Sequence, residues 1–247
     1  MNNYKLCFVI AQKYNRNYIS YIQYYIDNIQ KFYPGSLCII VDNNSRDVND
    51  IIIKLKEYKN VIIISNETKC KFELGAYKVG ISYLITNNLI DKYDYTIFSQ
   101  DTFVLINKFN FDELRQQNIT ACSLINTNPG QYVEQLDTVE SQIILKKINL
   151  IGSEKKISLC YANSFILHNS KIEEFLNITK DNILLVKEES VISERYQGAI
   201  LYYLNGYKNN GITNHNNLTY DPCFIDPFNC INKEYFIKIG QFKTEIT

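Results

Sequence analysis

The sequence predicts an α/β fold in which a central, mostly parallel sheet is flanked by helices. Short apolar runs typical of buried strands alternate with amphipathic stretches whose apolar residues recur at helical spacing. Strands that alternate with helices favour right-handed crossovers and therefore parallel neighbours. Hydrophobic residues make up 46% of the 247-residue chain, which is enough to fill the core of such a fold.

The first half of the chain carries the clearest elements. Four apolar runs are predicted as buried strands: 5–10, 36–41, 61–64 and 95–99. Three amphipathic stretches between them are predicted as helices: 19–32, 48–58 and 74–87. Pro34 and Gly35 are expected to end the first helix, because neither residue continues a helix well.

The second half is less regular. Helices are predicted over four stretches: 111–116, 139–150, 171–176 and 188–204. The residues 119–125 are predicted as a strand, 157–167 as one or two strands, and the chain beyond Tyr207 as mostly loop. The sequence contains no internal repeat and no linker-like composition, so a single domain spanning residues 1–247 is expected.

The composition argues against several classes of protein. The chain has 26 basic and 26 acidic residues, and this balance argues against a nucleic-acid binder that relies on a basic face. Seven scattered cysteines without a CxxC spacing predict neither a zinc ribbon nor a redox motif. Several cysteines lie inside apolar runs, a strand pattern begins at Tyr4, and no apolar run is long enough to span a membrane. Together these features predict a cytoplasmic protein.

Polar residues directly follow three of the predicted strands: Ala11-Gln12, Asp42-Asn43 and Gln100-Asp101. Ligands of open α/β sheets bind at the carboxyl ends of the strands. The carboxylate of Asp101 could hold a divalent cation that bridges two phosphates, because Mg²⁺ and Mn²⁺ prefer oxygen ligands. The alternative is that Asp101 and Asp42 simply form turns, which their side chains favour.

Three further residues could carry chemistry. Gly75 opens a predicted helix and would let another backbone segment or a ligand approach closely, and the alternative is a plain turn glycine. Glu194 could act as a general base if Gly198, one turn later, leaves open space beside it. Glu189, at the start of the same predicted helix, is a rival candidate for the base. The alternative is that Glu194 lies on a solvated helix face and has no catalytic role. His215 in a polar loop could bind a metal or phosphate, or be a surface histidine.

Four segments in this order resemble the nucleotide-binding half of GT-A glycosyltransferases, especially the inverting family-two type. Residues 39–45, IIVDNNS, are similar to the family's VDNGS strand end, and 73–81 to its glycine-containing loop and helix. Residues 98–102, FSQDT, fall where the family has its DxD-type element. Glu194 and Arg195, upstream of Gly206-Tyr207, resemble the helix that bears the catalytic base. The chain departs from the family in having Asp101 alone for the acidic pair and Ser193-Glu194 for Glu-Asp.

The resemblance implies a GT-A fold with a nucleotide-binding half at 1–105 and an acceptor-side half with a C-terminal tail at 106–247. It implies a hexosyltransferase-type enzyme that moves a sugar from a UDP-, GDP- or dTDP-linked donor to a hydroxyl of a glycan or small-molecule acceptor. Asp101 would act through Mn²⁺ or Mg²⁺, with His215 as a further ligand, and Glu194 would deprotonate the acceptor. The predicted donor site comprises Ala11, Gln12, Asp42, Asn43, Gly75, Gln100 and Asp101.

Two other functions stay open on the sequence. A GT-A-like module that has lost catalysis would bind a nucleotide or a glycan, and the thinned acidic motifs favour it. A nucleotidyltransferase of related architecture would need a glycine-rich basic loop after the first strand, and residues 11–14 contain no glycine. A retaining mechanism is also open, because the assignment of the base depends on one glutamate.

Overall fold

The computed structural model describes residues 4–14, 21–126, 131–208, 211–214 and 236–238. The strands in these ranges are β1 (Leu6–Gln12), β2 (Leu37–Asp42), β3 (Val61–Ser65), β4 (Tyr95–Gln100), β5 (Phe103–Leu105), β6 (Ala121–Asn126), β7 (Gln131–Tyr132), β8 (Lys156–Ile157), β9 (Phe165–His168), β10 (Gly211–Asn214) and β11 (Phe236–Lys238). The α-helices are α1 (Ile22–Phe32), α2 (Val48–Leu55), α3 (Phe72–Thr86), α4 (Phe111–Gln116), α5 (Val139–Lys147), α6 (Ile172–Thr179) and α7 (Lys187–Leu204).

Seven of these strands form one sheet in the order β10-β6-β9-β4-β1-β2-β3. β1 pairs in parallel with β2 and with β4, and β2 pairs in parallel with β3. β9 is antiparallel to both of its neighbours, β4 and β6, while β10 runs parallel to β6. The mostly parallel sheet confirms the predicted fold class. The register places Gln12 opposite Asp42 and Ala11 opposite Gln100, so three strands end at one edge.

Helices cover both faces of the sheet. Alternate residues of β1 belong to different apolar clusters: Cys7 and Val9 pack in the cluster that contains α3, and Phe8 and Ile10 in the cluster that contains α1. Every residue of β1 is buried, as is usual for a parallel strand covered on both sides. This double coverage explains why the strand has a continuous apolar sequence rather than an alternating one.

Helix α3 lies unusually close to the sheet because two glycines face its neighbours. A Cβ at Gly75 would lie 2.0 Å from the carbonyl oxygen of Cys70 and 2.8 Å from Nδ2 of Asn66. A Cβ at Gly80 would lie 2.4 Å from Cγ1 of Val9 in β1. The glycines therefore set how close the helix comes to β1 and to the loop after β3.

The structure corrects several predicted boundaries. Helix α2 ends at Leu55 and α5 at Lys147, both earlier than predicted, and the stretch 157–167 divides into β8 and β9 with a short 3₁₀ helix between them. The chain beyond Tyr207 contains strands β10 and β11, which the sequence did not predict. Within the described ranges, no helix combines the length and apolarity that crossing a membrane requires. The single-domain organisation stays a prediction.

Candidate functional site

A cavity of about 670 Å³ opens at the carboxyl ends of β1, β2 and β4. The starts of α3 and α7 form its other walls. Its lining residues are Ala11, Gln12, Lys13, Asn43, Asn44, Lys71, Phe72, Glu73, Gln100, Asp101, Thr102, Leu185 and Lys187. Five predicted donor-site residues are among them: Ala11, Gln12, Asn43, Gln100 and Asp101.

Asp101 is fixed against the end of β1. Its backbone N–H donates to the carbonyl of Ala11 at 2.9 Å, which extends the pairing of β4 with β1 by one residue. Its Oδ2 accepts hydrogen bonds from Nε2 of Gln12 at 2.7 Å and from the backbone N–H of Lys13 at 3.3 Å. Oε1 of Gln12 is buried and has no hydrogen-bond partner. Gln12 lines the cavity, and its hydrogen bond to Asp101 holds its side chain there.

The two residues at the end of β2 point in different directions. Asp42 is buried and turns back on its own loop, where its carboxylate accepts hydrogen bonds from the backbone N–H of Ser45 at 2.9 Å and from the Ser45 hydroxyl. It does not line the cavity, whereas Asn43 does. Nζ of Lys13 donates to the carbonyls of Asn43 at 2.6 Å and Asn44 at 2.7 Å. Lys13 thus ties the loop after β1 to the loop after β2.

Asn66, which the sequence analysis did not select, orients Asn43. It is fully buried directly after β3. Its Nδ2 donates to Oδ1 of Asn43 at 2.7 Å and to the carbonyl of Cys70 at 2.8 Å. Nδ2 of Asn43 then donates to the carbonyl of Phe72 at 3.1 Å. The position after a strand could have revealed Asn66, but the abundance of asparagine in this chain makes single asparagines uninformative.

Glu73 is a second residue that the sequence analysis did not select. Its buried carboxylate lines the cavity and accepts hydrogen bonds from Nε2 of Gln100 at 2.8 Å and from Oγ of Ser190 at 2.6 Å. Nζ of Lys187 lies 3.6 Å from Oε1 of Glu73. The segment 73–81 had been noted for its glycine, and nothing in the local sequence indicates that the glutamate turns inward.

Left-handed backbone conformations surround the cavity. Asn44 and Phe72 line it with φ values of 57°. Ala162 and Asn163 have φ values of 52° and 50°, and the carbonyl of Ala162 accepts a hydrogen bond from Gln100. Such conformations are costly for residues other than glycine, and most of all for a bulky side chain such as phenylalanine. They concentrate at functional sites, where the surrounding structure holds them in place.

Glu194, the predicted base, is not among the lining residues. Its backbone carbonyl accepts from the N–H of Cys160 at 2.9 Å, and the pKa of the Cys160 thiol is raised, first by burial and then by the Glu194 carboxylate. The open space predicted at Gly198 is wrong, because a Cβ there would lie 2.2 Å from the carbonyl oxygen of Ser158. The rival Glu189 accepts from the N–H of Val186 at 3.2 Å and so caps α7. The role of Glu194 as base stays a prediction.

Two other predicted residues lie outside the cavity. Gly75 is not a lining residue, and the close approach expected there is made by the carbonyl of Cys70, whose oxygen lies 2.0 Å from where a Cβ would be. Its contact with a ligand stays a prediction. His215 falls outside the described residues. His168 packs edge-on against Tyr95, with the ring centres 5.2 Å apart.

The charges of the cavity suit an anionic ligand that also carries hydroxyl groups. Lys13, Lys71 and Lys187 line it together with two carboxylates, Glu73 and Asp101. Ammonium groups favour phosphates, and carboxylates favour cations or hydroxyl donors. Burial raises the pKa of the nearby Cys70 thiol, so this cysteine is not activated as a nucleophile.

A divalent cation could bind at Asp101 only if a bound ligand supplied further oxygen atoms to its coordination shell. The described part of the chain contains no group of three His, Cys, Asp or Glu side chains that could hold a metal ion. Mg²⁺ sites that act on phosphates often use one or two carboxylates and complete their coordination with substrate oxygens and water. Asp101 matches that arrangement, because its carboxylate offers oxygen donors of the kind that Mg²⁺ and Mn²⁺ prefer.

Comparisons with known proteins extend the fold description. No protein-family model matches the sequence, and a search of curated proteins finds no match. Among similar solved structures is a mannosyltransferase, PcManGT from Pyrobaculum calidifontis, in complex with GDP-Man and Mn²⁺. It is 10% identical, with a TM-score of 0.45 over 70% of this chain and 47% of that chain. Another is residues 1–349 of S. aureus TarS, 13% identical, with a TM-score of 0.49 over 95% of this chain and 60% of that chain.

This chain therefore spans about half to three fifths of the length of these two proteins. At such identities and TM-scores the likeness says nothing about what this chain binds. The predicted α/β fold, a mostly parallel sheet flanked by helices, is confirmed by the strand order and by the strand ends that meet at one edge.

Proposed function

We propose that this chain is a glycosyltransferase that moves a sugar from a nucleoside-diphosphate donor to an acceptor hydroxyl. The observation that carries the proposal is the position of Asp101. Its carboxylate stands at the end of β4 in a large cavity that also contains Gln12, Asn43 and three lysines. This combination supplies amide groups for a nucleoside and positive charge for a diphosphate.

The nucleoside is expected to bind near the ends of β1 and β2. Asn43 lines the cavity at these strand ends, and a side-chain amide can both donate to and accept from a base or a ribose hydroxyl. Asn43 presents its amide from a fixed position, because Asn66 and the carbonyl of Phe72 hold both of its side-chain atoms. Asp42, another predicted donor-site residue, supports this loop through its hydrogen bond from the N–H of Ser45.

The diphosphate is expected between Asp101 and the lysines. Nζ of Lys13 donates to two carbonyls, and an ammonium group has a third hydrogen to give to a phosphate. When bound, Mn²⁺ or Mg²⁺ held by Asp101 and the donor's phosphates would neutralise the departing diphosphate. Lys71 also lines the cavity, and its ammonium donates to the carbonyl of Thr68 at 2.9 Å.

In the reaction, the acceptor oxygen forms a bond to the anomeric carbon while the bond from that carbon to the diphosphate oxygen breaks. The acceptor's proton passes to a carboxylate, and Glu194 is the predicted base. Attack opposite to the leaving group would invert the anomeric configuration. The configuration of the product, measured by NMR, tests the inverting mechanism, and a retained configuration would contradict it.

A second candidate, a nucleotide- or glycan-binding module without catalysis, is favoured by one observation. Glu194 does not line the cavity that contains Asp101. Release of nucleoside diphosphate from a bound sugar nucleotide, with or without acceptor, separates the two functions. Binding without any release across a broad set of acceptors would support the module, and detectable release would support the enzyme.

Donor binding can be tested by thermal unfolding with UDP-, GDP- and dTDP-linked sugars, each with and without Mn²⁺. A ligand at about 100 times its Kd stabilises a protein by about 2.7 kcal/mol, which for a chain of this size raises Tm by about 5 °C or more. We expect one donor to produce such a shift and Mn²⁺ to enlarge it. Asp101→Asn should abolish the effect of Mn²⁺, while Asp91→Asn, the same change at an exposed site, should not. No shift with any donor would contradict the proposal.

A further inference from the structure

The buried carboxylate of Glu73 lies on the side of the cavity formed by α3 and α7, whereas Asp101 is tied to β1. Burying a carboxylate is costly unless it is hydrogen-bonded. Glu73 receives two hydrogen bonds, from Gln100 and Ser190, and a carboxylate has about four acceptor positions. Because the residue also lines the cavity, its remaining acceptor positions are available to a ligand.

The partners of Glu73 are themselves held in place. The carbonyl of Ser190 accepts from Nδ2 of Asn163 at 3.0 Å, and Oδ1 of Asn163 accepts from Oγ of Ser193 at 2.9 Å. Asn163 is fully buried in a left-handed conformation. Gln100 donates through Nε2 both to Glu73 and to the carbonyl next to this turn. A buried and connected polar network of this kind fixes the carboxylate in one orientation, which selective binding requires.

Lys187 completes a donor-acceptor pair on this wall. Its ammonium lies 3.6 Å from Oε1 of Glu73 and 5.6 Å from the centre of the Phe72 ring. Its side chain is 62% exposed, so the ammonium can shift toward a ligand at little cost. The pair offers one strong acceptor and one strong donor side by side, and a hydroxyl group can donate to the first and accept from the second.

The charge of Glu73 disfavours a phosphate at this end of the cavity. A phosphate beside a buried carboxylate would be repelled more strongly than in water, because the local dielectric constant is low. At Asp101 the proposed divalent cation would offset this repulsion, and no cation is proposed at Glu73. A neutral group rich in hydroxyls meets no such penalty and satisfies both members of the pair. The two ends of the cavity therefore suit different parts of one ligand.

We propose that Glu73 and Lys187 bind hydroxyl groups of the donor's sugar and select which sugar is accepted. This inference rests on the proposed function, because it takes the ligand to be a nucleotide sugar. Glu73 is then a specificity-determining residue, and Ser190 and Gln100 position its carboxylate.

The test compares two ligands of each protein by isothermal titration: the nucleotide sugar that stabilises the wild type most and the matching nucleoside diphosphate. Losing a hydrogen bond to a charged group typically weakens binding by about tenfold or more. We expect Glu73→Gln to lose about tenfold in affinity for the nucleotide sugar while its affinity for the nucleoside diphosphate is unchanged. Lys187→Gln, a change at an exposed residue that should not disturb folding, is expected to show the same selective loss.

Glu188→Gln provides the matched control, because Glu188 is an exposed glutamate next to Lys187 on α7, and it should bind both ligands like the wild type. Equal losses for both ligands in Glu73→Gln and Lys187→Gln would overturn the inference, since the pair would then serve the nucleotide. Unchanged binding with lost turnover would also overturn it and make Glu73 the base. A wild type that binds neither ligand would instead contradict the proposed function, and this inference with it.

Discussion

Asn66 is the residue whose replacement tests most sharply how the site is held together. The substitution Asn66→Asp keeps the shape of the side chain but replaces the donor Nδ2 with an oxygen. Nδ2 donates to Oδ1 of Asn43 at 2.7 Å and to the carbonyl of Cys70 at 2.8 Å. Oδ1 of Asn43 would lose this donor and face another oxygen, whereas the carbonyl of Cys70 also lies 3.1 Å from the hydroxyl of Thr68, which can donate to it. The hydrogen bond from the N–H of Thr68 to Oδ1 of residue 66 could remain.

The cost follows from the oxygen of Asn43 that loses its donor. A buried polar group without a partner costs about 1 to 3 kcal/mol, so the free energy of unfolding should fall by about that amount. That is a large share of the roughly 5 to 15 kcal/mol that stabilises a typical domain. Because protonation of the new carboxyl restores a donor, the difference from wild type should shrink as pH is lowered. Urea denaturation followed by circular dichroism at several pH values measures both effects.

Asn87→Asp is the matched control. Nδ2 of Asn87 also donates to a carbonyl, that of Tyr83 at 2.8 Å, but this hydrogen bond is exposed at the end of α3. Water can replace the lost donor, so the cost should stay within about 1 kcal/mol, including the unfavourable charge at a helix C-terminus. Equal destabilisation by the two substitutions, or no loss in Asn66→Asp, would refute the view that buried amide contacts hold the loop after β2.

Three further predictions concern packing and titration. Gly75→Ala should lower the free energy of unfolding by about 1 to 3 kcal/mol, and by more than Gly80→Ala in the same helix. The new Cβ at residue 75 would meet a backbone carbonyl at 2.0 Å, whereas the one at residue 80 would meet a side chain. Equal urea midpoints for the two variants would contradict this. Burial lowers the pKa of His168, so the unfolded chain binds more protons than the folded chain, and the free energy of unfolding should fall below pH about 6.5. His168→Gln should weaken this pH dependence. An unchanged pH profile in the variant would contradict the prediction. Burial raises the pKa of the Cys38 and Cys122 thiols to about 12. Mass spectrometry should therefore find both residues unalkylated by iodoacetamide until urea is added. Rapid alkylation of the folded protein would contradict their burial.

The sequence predicted the main elements because their signals are local. Helix α4 has the bounds that its spacing predicted, and β1 to β4 each lie within two residues of the predicted apolar runs. Strands β10 and β11 escaped prediction because they are short and depend on partners far away in the chain. Neither carries enough alternating residues to show a period of its own.

The sequence predicted which strand ends form the candidate site, but it did not predict which side chains at those ends face the cavity. Parallel register brings Ala11 next to Gln100, so the meeting of these loops follows from the topology. Whether a side chain enters the cavity depends on partners that no local pattern reveals. Asp42 turns onto Ser45 three residues away, whereas Glu73 turns inward because it bonds to Ser190, 117 residues later.

The most direct test of the proposed site is a crystal structure with a nucleoside diphosphate and Mn²⁺. The diphosphate is predicted to lie against Asp101 and Lys13, with the ion bound by the Asp101 carboxylate and phosphate oxygens and the nucleoside near Gln12 and Asn43. A nucleotide bound elsewhere on the molecule, or bound in this cavity with its phosphates away from Asp101, would contradict the account.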